Sequence, residues 1–297
     1  MNSRTDRVAS MTQDHSTTSQ GPLGELSHAL TMSAREFSAL MKLEPHGPDV
    51  FVGISPEYPW GRIFGGQVVA QALRAAAHTV DPKFKVHSLH SYFIRGGTSE
   101  EPVRYEVDRI RNGRSFVTRR VVARQSNGAI LNLSCSFQIE EDQAEVQTFE
   151  MPTDLPGPEE IENDGWGWLL DERNIEFGPG DARSAGWVRI EDEIGESDIL
   201  HACGLAFTSD SIQFGAARRT HPIQVSREQH HDVFIGASLD HAMWFHRPTR
   251  ADRFHLYEFR SHGLTGGRGL VSGQLFSADG VHVASIAQEV LLRYIGD

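Results

Sequence analysis

The stretch "HSLHSYFIRGG" (residues 87–97) has an echo in "ASLDHAMWFHRP" (residues 237–248), and the residues after each of them also match in order. Ser88 and Leu89 match Ser238 and Leu239 at an offset of 150, and Gly113 and Arg114 match Gly267 and Arg268 at 154. Gly128 matches Gly280 at 152, and Gln138 matches Gln288 at 150. Offsets that drift by only four residues point to one duplicated unit with small loop insertions.

Each copy starts with a helical segment. In "FGGQVVAQALRAAAHTV" the apolar Phe64, Val68, Val69, Ala72 and Ala76 recur at helical spacing behind Gly65 and Gly66. In "DILHACGLAF" the pattern runs up to Asp210, with Ser197 or Asp198 as N-cap. Strand-like runs come next, and Asn112-Gly113, Asn127-Gly128 and Asp279-Gly280 are hairpin-turn pairs. The expected class is therefore α+β: two tandem repeats of a helix followed by an antiparallel meander that covers it. We expect a disordered tail over residues 1–24, a first domain over 25–140, an acidic linker over 141–185 and a second domain over 186–297. The linker is rich in Pro, Gly and acid, and Trp166 and Trp168 are expected to give it partial structure.

The chain has 297 residues and a formal net charge of −12, which argues against nucleic acid or an anionic membrane as a general partner. Two cysteines, Cys135 and Cys203, are too few for a disulfide framework or a cysteine zinc site. The N-terminal stretch is polar, without the apolar run of a secretory signal. No window approaches the roughly 18 apolar residues of a membrane span, so a cytoplasmic protein without membrane insertion is expected.

Asp210 sits inside the apolar stretch "LAFTSDSIQF" (205–214). A carboxylate there is expensive unless it is hydrogen-bonded or solvated, which marks either a functional pocket with a raised pKa or a helix boundary touching water. Gln288 shares strand parity with Ala284, Ile286, Val290 and Leu292, so an amide lies on an apolar face; a structural role accounts for it equally well. Strand alternation places Ser238, Asp240 and Ala242 on one face, which makes Asp240 either a partner of Ser238 or a competing base. Gly65, Gly66 and Gln67 open the first helix, where free amides and the positive dipole end would suit an oxyanion; tight packing explains the glycines equally. No G-x-S-x-G elbow is present. Adjacent His230 and His231 point apart and read as a solvated loop, so no metal is expected. Arginines at 111, 114, 119, 120 and 124, or at 218 and 219, would suit phosphates or simply form a charged sheet face.

In order, "RIFGGQVVAQAL", "VHSLHSYFIRGG", "LAFTSD", "SLDHAMWFHRP" and a closing "AQEVLLR" resemble the acyl-CoA thioesterase II family, the TesB-type double-hotdog enzymes. The likeness covers about residues 30 to 297. It implies a double-hotdog fold, hydrolysis of acyl-CoA to free fatty acid and coenzyme A, no cofactor, and a homo-oligomer. It also implies the catalytic set Asp210, Ser238 and Gln288, with Asp210 activating water that Ser238 and Gln288 orient. The sequence departs from the family where Ser211, Ile212 and Gln213 come after the aspartate. Two rivals stand beside this reading. A hotdog hydratase needs a His soon after Asp210, and only His221 is offered; a non-catalytic acyl-CoA-binding protein would keep the fold without turnover.

Overall fold

The computed structural model describes residues 36–165, 167–226 and 229–296. The expected tail and Trp166 lie outside these residues. A short helix α1 (Phe37–Leu40) and strands β1 (Glu44–Pro45) and β2 (Val50–Gly53) lead into helix α2 (Gly65–Ala77). Strands β3 (Phe84–Phe93), β4 (Val103–Asn112), β5 (Phe116–Gln125) and β6 (Gly128–Ile139) complete the first half. The second half holds β7 (Leu170–Ile175), β8 (Arg183–Ile190), helices α3 (Asp198–Thr208), α4 (Phe214–Thr220) and α5 (His230–Val233), then β9 (Phe234–Ser238) and β10 (Asp240–Phe245). It closes with β11 (His255–Thr265), β12 (Arg268–Ser277) and β13 (His282–Tyr294).

All the strands join one antiparallel sheet in the order β1-β2-β4-β5-β6-β3-β10-β13-β12-β11-β8-β7, with β9 added on β13. The order is the same from either edge, and the two halves meet where β3 pairs with β10. The helices cover one face: α2 packs on β4, β5 and β6, α3 packs on α2, β3 and β8, and α4 packs on β8, β11 and β12. Alanine-rich α2 buries Val68, Val69, Ala72, Leu73 and Ala76 in a core shared with α3. The three expected hairpin turns fall between β4 and β5, β5 and β6, and β12 and β13; Gly128 (φ 111°) and Gly280 (φ 85°) need the left-handed region that glycine tolerates.

The duplication extends to the irregularities of the ladder. The register slips that begin after Arg109 and after Ala123 recur 152 residues later, after Ser261 and after Leu275. The slip after Val86 in β3 recurs, again 152 residues later, after Ser238. Ser238 therefore corresponds to Val86, not to Ser88, and that match at an offset of 150 is two residues out. Strand faces repeat every two residues, so such a shift preserves the pattern and escapes notice in sequence. Gln288 lies across from Val271, while the residue across from the equivalent Arg119 is Cys135. Gln138 is thus not the counterpart of Gln288; it bonds Glu141.

The segment expected as a linker is more ordered than its composition suggests. Strand β7 and the start of β8 fall inside residues 141–185 and pair with the second half of the sheet. Ahead of them, Met151, Leu155 and Ile161 pack around Trp187, Leu256 and Phe276, and Trp187 Nε1 donates to Pro156 O at 2.8 Å. The apolar residues are sparse there because they cover only one side of a sheet.

Candidate active site

Asp210 lies in the turn leaving α3, two residues past Thr208. It meets the N-terminal end of α2, where the Gly66 N–H favours its ionised carboxylate. Helix α2 begins after Phe64 without a side-chain cap, so its first amides are free for this role. The approach requires glycine. A Cβ on Gly65 would stand 2.3 Å from Asp210 Oδ2, and one on Gly66 would stand 2.1 Å from the Phe207 carbonyl oxygen. Close packing thus accounts for both glycines. Gln67 N–H donates to Phe64 O at 3.1 Å, whereas Gly65 N–H has no bond among the described residues. The Gln67 side chain turns away into the core, bonded to Tyr58 Oη and Ser55 Oγ.

Asp210 Oδ1 accepts from Ser238 Oγ at 3.1 Å, Gln288 Nε2 at 2.9 Å and Gln213 Nε2 at 3.0 Å. Gln288 Nε2 also donates to Ser238 Oγ at 2.8 Å. Asp210, Ser238 and Gln288, far apart in sequence, are therefore brought together. Two further residues join them that sequence reasoning did not select. Gln288 Oε1 accepts from Gln213 Nε2 at 2.8 Å and from His241 Nδ1, whose Nε2 lies 2.9 Å from Ser209 Oγ. A carboxylate only accepts, so Gln288 turns its NH2 to Asp210 and its carbonyl to His241; the imidazole proton then sits on Nδ1.

A β-bulge explains why His241 was missed and Asp240 was selected. Ser238 faces Val290 and Ala242 faces Ala287, so four steps along β9–β10 oppose three along β13. The extra residue reverses the alternation, and His241 rather than Asp240 shares the face of Ser238. Asp240 Oδ1 instead accepts from Glu289 N–H at 2.6 Å, fixing the bulge. Its place as a direct partner of Ser238 is not what the structure shows.

Two family models match this chain: the acyl-CoA thioesterase N-terminal domain over residues 54–138 and the acyl-CoA thioesterase C-terminal domain over residues 142–292. The chain belongs to the acyl-CoA thioesterase family. Acyl-coenzyme A thioesterase 8 of Homo sapiens is 38% identical over 288 residues, covering 86% of this chain and 88% of that protein. Acyl-CoA thioesterase 2 of Haemophilus influenzae is 32% identical over 285 residues, covering 86% and 96%. The crystal structure of the acyl-CoA thioesterase II TesB2 from Mycobacterium marinum superposes with a TM-score of 0.72 at 37% identity, covering 86% of this chain and 96% of that one. The architecture is accordingly the double hotdog of this thioesterase family.

Within this polar network burial opposes the hydrogen bonds and neighbouring charges. Desolvation pushes the Asp210 carboxyl above its ordinary value, against His241, the donors Gln288 and Ser238, and Gly66 N–H, which all favour the ionised form. Desolvation pushes His241 down, opposed by Asp210, Gln288 and Asp240. The residues that depart from the family pattern divide between two tasks. Gln213 joins the network, while Ser211 and Ile212 line a pocket of ≈ 210 Å³ with Phe214, Ser184, Arg218 and Arg219.

The other sequence candidates separate clearly. Arg119 is buried, with its guanidinium bonded to Thr79, Asn112 and the Arg111 and Thr118 carbonyls, so it is structural. Arg120 pairs with Asp108 and Arg124 with Glu106, and Arg219 donates to Arg183 O. Arg111 and Arg114 are exposed and form no ion pair among the described residues. His230 is not in a solvated loop: it is buried at the start of α5 and stacks on Phe234. Among the described residues no cluster of three or more His, Cys, Asp or Glu could hold a metal, and no helix is long and apolar enough to cross a membrane. His221 packs on Phe234 and Tyr294, away from Asp210.

Proposed function

We propose that this thioester hydrolase cleaves acyl-CoA to a free acid and coenzyme A, with Asp210 taking the proton of the attacking water. The observation that carries this reading is the Asp210 carboxylate, held on Oδ1 by Ser238, Gln288 and Gln213 while Oδ2 faces the start of α2. The Ser238 proton goes to Asp210 and one lone pair accepts Gln288, which leaves a lone pair for water. Water donating one hydrogen to Asp210 and the other to Ser238 Oγ points its own lone pair at the thioester carbon. The C–O bond forms as the proton moves to Asp210, and negative charge develops on the carbonyl oxygen. Gly65 N–H, at the positive end of α2, is the donor suited to that oxyanion. Collapse then breaks the C–S bond, and the coenzyme A thiolate takes the proton back from Asp210.

Single-turnover hydrolysis in 18O-labelled water tests the direct attack. Label in the released acid and none in the Asp210 side chain is the expected result; label in Asp210 would make it a nucleophile. The binding-protein reading is tested by thiol release from short, medium and long acyl-CoA thioesters. Binding without thiol release from any of them would favour it. A homo-oligomer and a cytoplasmic location remain part of the proposal, read by sedimentation and by imaging of the tagged full chain.

A further inference from the structure

An amide side chain has two orientations of similar shape, and Gln288 must hold one of them for its NH2 to reach both Asp210 and Ser238. Its carbonyl is gripped by donors from two different elements: Gln213, the N-cap of α4, and His241 in β10. We propose that Gln213 and His241 are positioning residues that lock the Gln288 amide with its NH2 toward Asp210 and Ser238. This rests on the thioesterase reading above.

Turning the amide over would set Gln288 Oε1 against the Asp210 carboxylate and its NH2 against two donors, so both ends of the lock resist it. His241 is itself fixed from behind. It is 1% exposed, and its Nε2 lies 2.9 Å from Ser209 Oγ at the end of α3, a hydroxyl that also reaches the Ala206 carbonyl at 2.9 Å.

Gln213 is also 1% exposed, and its Nε2 bridges Asp210 Oδ1 and Gln288 Oε1. Its Oε1 is buried with no protein partner among the described residues, an arrangement that disfavours folding. Rotating the Gln213 amide offers no relief, because that oxygen would then face two acceptors. An orientation kept against stability is the mark of a functional constraint.

The titratable groups that act on this network are Asp210, His241 and Asp240. His241 acts on Asp210 from β10, and Asp210 and Asp240 act on His241. Gln213 Nε2 donates to Asp210 Oδ1 at 3.0 Å, so removing that donor shifts Asp210 toward its neutral form, and the acid limb of the pH–rate profile moves with it.

The test measures kcat, KM and the acid limb by thiol release for the full chain and for Gln213→Met, His241→Asn, His241→Leu and Asp210→Asn, with the melting temperature of each. Gln213→Met should lower kcat about tenfold, one hydrogen bond's worth, with little change in KM. Its acid limb should move to higher pH, and its melting temperature should not fall. His241→Asn keeps a donor near the Nδ1 position and should retain much more kcat than His241→Leu. Wild-type kcat and an unshifted acid limb in Gln213→Met would overturn the proposal. So would equal damage in the two His241 variants, or a loss of kcat in Gln213→Met that tracks a loss of stability. Failure of the underlying reading shows itself separately: no thiol release by the wild type, or full activity in Asp210→Asn, removes the thioesterase base and the lock with it.

Discussion

At the scale of single residues, glycine decides how closely α2 approaches Asp210. Alanine at residue 65 suits a helix, yet its Cβ would meet Asp210 Oδ2 at 2.3 Å. Gly65→Ala should therefore keep the fold by circular dichroism and lose about a hundredfold in kcat, because it displaces the base. Asp240 gives the opposite expectation. An asparagine there still accepts from Glu289 N–H, so Asp240→Asn should leave kcat/KM within about threefold, whereas a base at Asp240 would lose orders of magnitude. The raised carboxyl of Asp210 carries a sign for stability. Below the unfolded value of 3.8 it is protonated folded or unfolded and makes no difference. As pH rises through the higher folded value, ionisation in the fold opposes stability. Asp210→Asn should thus gain stability relative to the wild type with rising pH, as urea unfolding at pH 5 and pH 8 would show. Activity moves the other way, since only the ionised form accepts a proton.

At the scale of elements, the site depends on a bulge and on two helix ends. Arg119 ties the end of α2 to β5 through Thr79 and Asn112. Arg119→Leu leaves those acceptors buried and should destabilise the chain by about 3 kcal/mol in urea unfolding. Both long helices, the hairpin turns and the paired halves were legible in sequence because each has a local signature: helical spacing, or glycine after Asn or Asp. Asp210 and Gln288 stood out because a polar group on an apolar face is conspicuous, while Ser238 and the roles of all three came from the family likeness. His241 was not legible, because the bulge that turns it inward leaves no mark in the alternation of "SLDHAMWF". Gln213 was visible only as a departure from the family pattern. Strands β7 and β8 were hidden by acidic and glycine-rich surroundings that resemble a tether.

At the scale of the molecule, duplication has produced two halves with the same ladder irregularities but a single polar constellation. Where the second half holds Ser238 and Gln288, the first holds Val86 and Cys135, with the Arg119 guanidinium buried beside them. A non-hydrolysable acyl-CoA thioether should therefore bind with a stoichiometry of one per chain in calorimetry; two per chain would mean that both halves keep a site. The thiols of the protein should stay silent in a thiol-release assay, since burial pushes Cys203 up to about 12 and Cys135 higher still. That silence permits the most direct test of the account, acyl-CoA hydrolysis followed by thiol release at pH 7.5 for the wild type and Asp210→Asn side by side. Rapid release by the wild type that falls by a factor of about a thousand in a folded, substrate-binding Asp210→Asn is the predicted result. Release at the wild-type rate in that variant would contradict it and place the base elsewhere.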